Sequence, residues 1–157
     1  MGNETIYTAQ NVLEHWVGHR RLSRRTLELF PEDQLFTFSI GGMRPFGKLA
    51  LEMLQCLPTL HGVATGEWKW EAAYEDVTDK DALLAAWDDC DAKLQETWAK
   101  IAPERLNVIE ADNFWMPQAT PNSWKVQYWI DNEIHHRGQG YVYLRALGIE
   151  PPAFWER

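Results

Sequence analysis

The chain has 157 residues, 45% hydrophobic and 13% aromatic, which specifies one folded domain with its own core and excludes a disordered chain. Its 23 acidic against 15 basic residues leave a net charge of −8, so no positive field would attract a phosphate backbone, and a DNA or RNA reader is not expected. No run approaches the ~20 apolar residues that span a bilayer.

The opening MGNETIYTAQ lacks the basic stretch and apolar block of a secretory leader, and Ile6 stands where a myristoylation signal after Gly2 needs Ser or Thr. Helix one is predicted from Thr8 to Phe30, with Val12, Leu13, Trp16, Val17, Leu22, Leu27 and Leu29 at roughly helical spacing and Pro31 as its stop. PEDQLFTFSIGG reads as a linker. Helix two starts at Pro45, a good first-turn residue, and carries Phe46, Leu49, Met53, Leu57 and Leu60 at intervals of 3, 4, 4 and 3. Pro58 should kink or shorten its end.

Residues 62–77 read as irregular. Helix three is predicted from Asp79 to Ala102 behind a weak capping arrangement, with Leu83, Leu84, Trp87, Leu94, Trp98 and Ile101 on its apolar face and Pro103 beyond. A loop through NFWMPQATPN follows. Thr120 before Pro121 signals the start of helix four, a capping hydroxyl with a preset φ behind it. That helix runs to Leu147, with Gly148 as a left-handed terminator. Four such helices in a single domain over 1–157 make an all-α four-helix bundle with long connections after helices two and three, and no sheet of consequence.

Nine tryptophans are several times the ordinary usage. They serve either as core anchors or as the walls of a ligand cleft. Cys56 and Cys90, 34 residues apart, have neither metal nor redox spacing, and a reducing cytoplasm is the expected setting.

The densest chemistry lies in WIDNEIHHRGQGYVYLRALGIEPP. At about 100° per residue, Val126, Trp129, Glu133, His136, Gly140, Tyr143, Leu144 and Leu147 share one buried face, with Asn132 at its margin and His135 nearly opposite. A carboxylate and an imidazole on such a stripe need partners. Glu133 and His136 have the Glu-x-x-His spacing of carboxylate metal bundles, so the partner is either a metal or a network with Arg137, Arg145 or another helix. His15 and His19 are spaced as a two-ligand pair, but HRRLSRR surrounds them with positive charge and an exposed face is the simpler expectation. Arg20, Arg21, Arg24 and Arg25 either salt-bridge to acidic helices or a dimer partner, or, through Arg20 and Arg24, dock an anionic ligand.

The run HHRGQGYVYLRALGIEPP, with MRPFGKLALEML and GVATGEW before it, closely resembles the DinB/YfiT-like superfamily. The resemblance implies a four-helix bundle, homodimeric, associated with the DNA-damage or stress response and unrelated to the polymerase of the same name. It also implies one divalent metal (zinc, nickel, manganese or iron) held by three histidines, one in helix two and two in helix four. Carried onto this chain, those positions are Glu52, Asn132 and His136, with Glu133 as a neighbouring or alternative ligand. Two imidazoles are therefore replaced by a carboxylate and an amide, a harder and weaker donor set, or no metal at all. An exposed i,i+4 pair with Lys48 explains Glu52 almost as well. Two functions follow from the resemblance: a stress-associated binding protein with a degenerate metal site, or a metal-dependent transferase or isomerase that activates a small thiol against an electrophile.

Overall fold

The computed structural model describes residues 7–157. The readings on Gly2 and Ile6 therefore lie outside the described residues. Helices make up most of what is described, and none is long and apolar enough to cross a membrane.

The first helix, α1 (Ala9–Leu29), begins at a reciprocal cap: the Thr8 hydroxyl accepts from the Asn11 amide, and the Asn11 side chain accepts from Thr8 N–H, both at 3.1 Å. The expected linker contains a four-residue helix, α2 (Glu32–Leu35). Pro31 presets its entry, Glu32 and Asp33 complement its N-terminal dipole, and Leu35 is driven into the core.

The single predicted helix two is split. It consists of α3 (Phe46–Met53), a 3-10 turn over Leu54–Cys56, and α4 (Leu57–Thr65). Pro58 does not end the segment but breaks it just upstream, because it has no N–H for the Leu54 carbonyl and its ring crowds that oxygen. The carbonyls at the break find other partners. The Cys90 thiol donates to Leu54 O at 3.7 Å, and Arg20 Nη1 reaches Met53 O at 3.5 Å. Gly66, at φ +81°, terminates α4.

The next helix, α5 (Lys80–Trp98), is capped by Asp79 and ends four residues before the expected Ala102. Pro103 holds Ala102 extended, so the chain leaves the helix through turn bonds at Lys100 and Ile101. A small antiparallel pair, β1 (Ile109–Glu110) with β2 (Thr120–Pro121), was not expected. It takes Thr120 away from the capping role foreseen for it, and α6 (Asn122–Ala146) starts behind Pro121 without a side-chain cap. The Thr120 hydroxyl and carbonyl instead accept from buried Lys125. Gly148, at φ +77°, ends the segment as the sequence indicates.

The longest helix, α6, packs against α1, α3 and α4, and α5 closes against α1 and α4. Every face residue predicted for α6 is buried except half-buried Leu147. Gly140 sits so close to Phe46 that a Cβ there would lie 2.4 Å from the ring. That close crossing brings α3, and Glu52 with it, against the middle of α6.

Candidate functional site

Glu52 from α3 meets Asn132 and His136 from α6. The Glu52 Oε1 atom accepts from Asn132 Nδ2 at 2.9 Å and lies 3.0 Å from His136 Nε2. On the other oxygen, Oε2, Arg44 forms an ion pair at 2.5 Å. Arg44 belongs to the loop before α3, turned by Gly41 and Gly42 at φ +61° and +75°, and its carbonyl accepts from the Tyr143 hydroxyl at 3.0 Å. Burial raises the Glu52 carboxyl, but hydrogen bonds from Asn132, His136 and Arg44 outweigh it and hold it at about 2.

The valence of this cluster is uneven. His136 Nδ1 lies 2.8 Å from Gln139 Oε1, which leaves Nε2 to Glu52. That contact is met either by an Nε2 proton donated to Glu52 or by a cation shared between the two. Asn132 Oδ1, a further acceptor, is buried with no hydrogen-bond partner among the described residues. The donor set therefore fits a hard or borderline divalent cation better than a soft one. Among the described residues no three His, Cys, Asp or Glu side chains gather, and the third donor here is an amide.

Of this cluster, Glu52 and Arg44 line a cleft of about 520 Å³ whose walls include Leu51, Trp70, Tyr74, Glu75 and Trp115. The wall from the segment between α4 and α5 is fastened by one side chain. Gln55 Nε2 donates to Ala73 O at 2.7 Å and Gln55 Oε1 accepts from Ala73 N at 3.0 Å, as a neighbouring strand would. The next residue, Tyr74, holds the left-handed φ of +61°, uncommon for a non-glycine residue, and its hydroxyl donates to Asp89 at 2.7 Å. Trp70 and Trp115 meet nearly at right angles, 5.3 Å between ring centres, and both remain partly open to solvent.

The other residues singled out by sequence sit elsewhere. Glu133 does not support the cluster. It turns to α1, where Oε1 accepts from Ser23 at 2.6 Å and Oε2 accepts from Trp16 Nε1 at 3.3 Å with Arg20 at 3.5 Å. Burial nonetheless keeps its carboxyl above the usual range. Arg20 is no anion dock: it is 1% exposed, lies 3.8 Å over the Trp87 ring and donates to Asp91 at 2.5 Å. Arg24 is likewise engaged, by Asp88 and Glu28. Neither guanidinium is free for a ligand, because acidic residues on α5 and α1 already neutralise them.

His19 is not on an exposed face. It is buried, with Arg137 Nη2 2.9 Å from Nδ1, Arg157 Nη1 3.1 Å from Nε2 and His15 Nε2 3.2 Å away. Burial, then the charges of Arg137, His15 and Arg157, push it down to about 3. Of the nine tryptophans, Trp16, Trp87, Trp98 and Trp129 are core anchors, whereas Trp70, Trp115, Trp124 and Trp155 stay exposed. Sequence reasoning missed Arg44, Gln55 and Tyr74. The surplus of indoles was the available signal for an aromatic cleft, without saying which ones form it.

A helical domain with a polar cluster between two crossing helices, opening into an aromatic-walled cleft, is the class of protein defined by this geometry. The chain matches the DinB family over residues 1–157 and belongs to it. It is similar in fold to a DinB-like protein from Bacillus subtilis, YjoA, with a TM-score of 0.77 and 19% identity over 93% of this chain and 99% of that one. A DinB-like protein from Bacillus cereus aligns with a TM-score of 0.74 and 18% identity, covering 92% and 95%. No curated protein matches the chain.

Proposed function

We propose that this DinB-family chain is a cytoplasmic, homodimeric four-helix-bundle protein that binds a small molecule over a divalent cation held by Glu52, Asn132 and His136. The observation that carries the reading is a shared centre: the Glu52 carboxylate, which opens onto the cleft, meets His136 Nε2 and Asn132, whose Oδ1 is buried without a partner among the described residues. Gln139 would orient the His136 ring through Nδ1. A cation bound there supplies a Lewis acid that lowers the pKa of a thiol or water, the chemistry a thiol-dependent transferase or isomerase needs. In that chemistry Arg44, rather than Arg20 or Arg24, is the guanidinium beside the ligand. Exposed Trp124, Phe154 and Trp155 support the homodimer, which light scattering at micromolar concentration checks.

Arg44 on Glu52 Oε2 favours a second reading, in which the cluster is a metal-free hydrogen-bond network beneath a stress-associated binding cleft. Titration of chelator-stripped protein with Mn²⁺, Ni²⁺, Zn²⁺ and Fe²⁺ decides between them. One equivalent should bind, and Glu52→Ala and His136→Ala should each abolish it. No saturable binding of any of the four overturns the cation centre and leaves the network.

A further inference from the structure

The cleft is unlike an ordinary apolar groove in two respects. Its aromatic side chains are not packed away: Trp70 is 37% and Trp115 44% exposed, and their near-perpendicular rings form an open corner. Its charges are also unbalanced, since the lining holds two carboxylates, Glu52 and Glu75, and a single guanidinium, Arg44, which is already spent on Glu52. Glu75 is exposed and is left as the uncompensated charge of the lining. Tyr74 lies at the same wall, and Lys93 Nζ, 5.6 Å from its ring centre, already uses that ring as a cation acceptor.

The wall is held at a cost. A left-handed tyrosine persists only where its surroundings over-determine it, here through the paired Gln55–Ala73 hydrogen bonds on one side and the Asp89 bond on the other. Strain of this kind at the rim of a cleft is an observation that packing alone does not require.

We propose that the corner formed by Trp70, Trp115, Tyr74 and Glu75 binds an organic cation, an alkylated ammonium group, as the head of the small molecule that enters the cleft. Indole and phenol faces attract a weakly hydrated cation through the ring quadrupole, and Glu75 supplies the balancing charge. A strongly hydrated primary ammonium loses more water on entry, so methylated ammonium is the better fit. Gln55 acts as a positioning residue, because it fixes the segment carrying Trp70 and Tyr74 without itself supplying charge. The inference rests on the cleft of the proposed function but not on its cation centre.

Choline and its neutral isostere 3,3-dimethyl-1-butanol make the test, read by indole fluorescence and by proton NMR on chelator-stripped protein and again with Mn²⁺ present. Choline should bind saturably in both, with the neutral alcohol weaker by on the order of tenfold. Glu75→Gln, a change at an exposed position, should weaken choline several-fold while leaving the alcohol unchanged. Trp70→Leu and Gln55→Leu should weaken choline while the far-ultraviolet circular dichroism stays native. Equal binding of the two probes overturns the proposal in favour of a merely apolar cleft. Absence of saturable choline binding, or occlusion of Trp70 and Trp115 by a second copy of the chain, also overturns it. Choline binding without any metal binding retains the inference and removes only the cation centre.

Discussion

The two flanks of α6 carry polar clusters one residue apart in sequence and opposite in character. On the flank toward α1, Glu133 and Arg137 meet Trp16, His19, Arg20 and Ser23, and the charges of Arg20 and Arg137 are matched by Glu133 and Asp91. Its unmatched atom is a donor, Arg20 Nη2, on a guanidinium stacked over the Trp87 ring. On the flank toward α3, Asn132 and His136 meet Glu52 and Arg44, and the unmatched atom is an acceptor, Asn132 Oδ1. One cluster is sealed in the core, and the other reaches a cleft through Glu52 and Arg44. A buried charge with its partners in place holds helices together, whereas a carboxylate at the edge of a cleft keeps one side open to solvent.

The largest effect expected from this contrast is at Glu133. Glu133→Ala leaves Arg20, Ser23 and Trp16 without their buried acceptor, a loss of about 3–5 kcal/mol in a urea unfolding experiment. Where the variant still folds, its affinity for Mn²⁺ and choline should be unchanged, because Glu133 contacts neither Glu52 nor His136. Loss of ligand binding without loss of stability would falsify the separation of the flanks.

Acid sharpens the same contrast through two groups with different windows. His19 is held at about 3 in the fold, below its ordinary value of 6.5. The unfolded chain thus takes up a proton that the native chain refuses, and stability falls as pH drops from 6.5 toward 3 by up to about 1.4 kcal/mol per pH unit. His15, lowered by burial and Arg157, adds to that window in the same direction. Glu52, held at about 2, contributes stability that is present above 4.5 and lost as pH falls toward 2. Glu133, raised by burial, opposes both above 4.5. Wild type minus His19→Gln isolates the first term: the stability difference should shrink by about 2–3 kcal/mol from pH 6.5 to 4.5. A difference that does not change with pH removes His19 as the acid-sensitive group.

The reach of the sequence follows the same division. The buried face of α6, the Thr8 start, the onset of α5 near Asp79 and the Gly148 stop depend on neighbours within a turn, and periodicity with turn chemistry reveals them. The break at Leu54 was misplaced because Pro58 acts four residues upstream, on a carbonyl whose new partner, Cys90, comes from another helix. Thr120 was drawn into a strand by Glu110, and Arg20 into the core by Asp91 and Trp87, pairings that no local pattern contains. The place of His136 on the buried face of α6, with Asn132 at its margin, was legible from periodicity, whereas Glu52 and the grouping of the three were legible only through resemblance to a family. Their aromatic neighbours were legible only as a surplus of indoles, since Trp70 and Trp115 lie 45 residues apart.

Glu52 should matter less to stability than Glu133, although both are hydrogen-bonded carboxylates. The Glu52 side chain is 25% exposed against 1% for Glu133, so water can replace part of what a substitution removes. Glu52→Gln should cost about 1–2 kcal/mol in urea, keeping an acceptor for Asn132 while losing the charge that holds Arg44 and His136. A cost equal to that of Glu133→Ala would mean that the cleft flank is as structural as the core flank.

The smallest effect belongs to Arg24, one turn along α1 from Arg20. Its guanidinium holds two carboxylates, Asp88 at 2.5 and 2.9 Å and Glu28 on its own helix, yet 31% of its side chain is in solvent. Exposed pairs gain little over their hydrated partners and lose side-chain entropy, so Arg24→Ala should cost below about 1 kcal/mol. Part of that should vanish in 1 M salt, where the screening length falls to about 3 Å. The hydrogen bonds from Arg24 pull the Asp88 carboxyl down, so the substitution should also return Asp88 toward its ordinary value in a carbon-detected NMR titration. Choline and Mn²⁺ binding should not change, since this guanidinium lies outside the cleft. If Arg24→Ala destabilised as strongly as Glu133→Ala, then exposure would not be what separates a holding contact from a dispensable one on this helix. The contrast between the two flanks of α6 would then need a different physical basis.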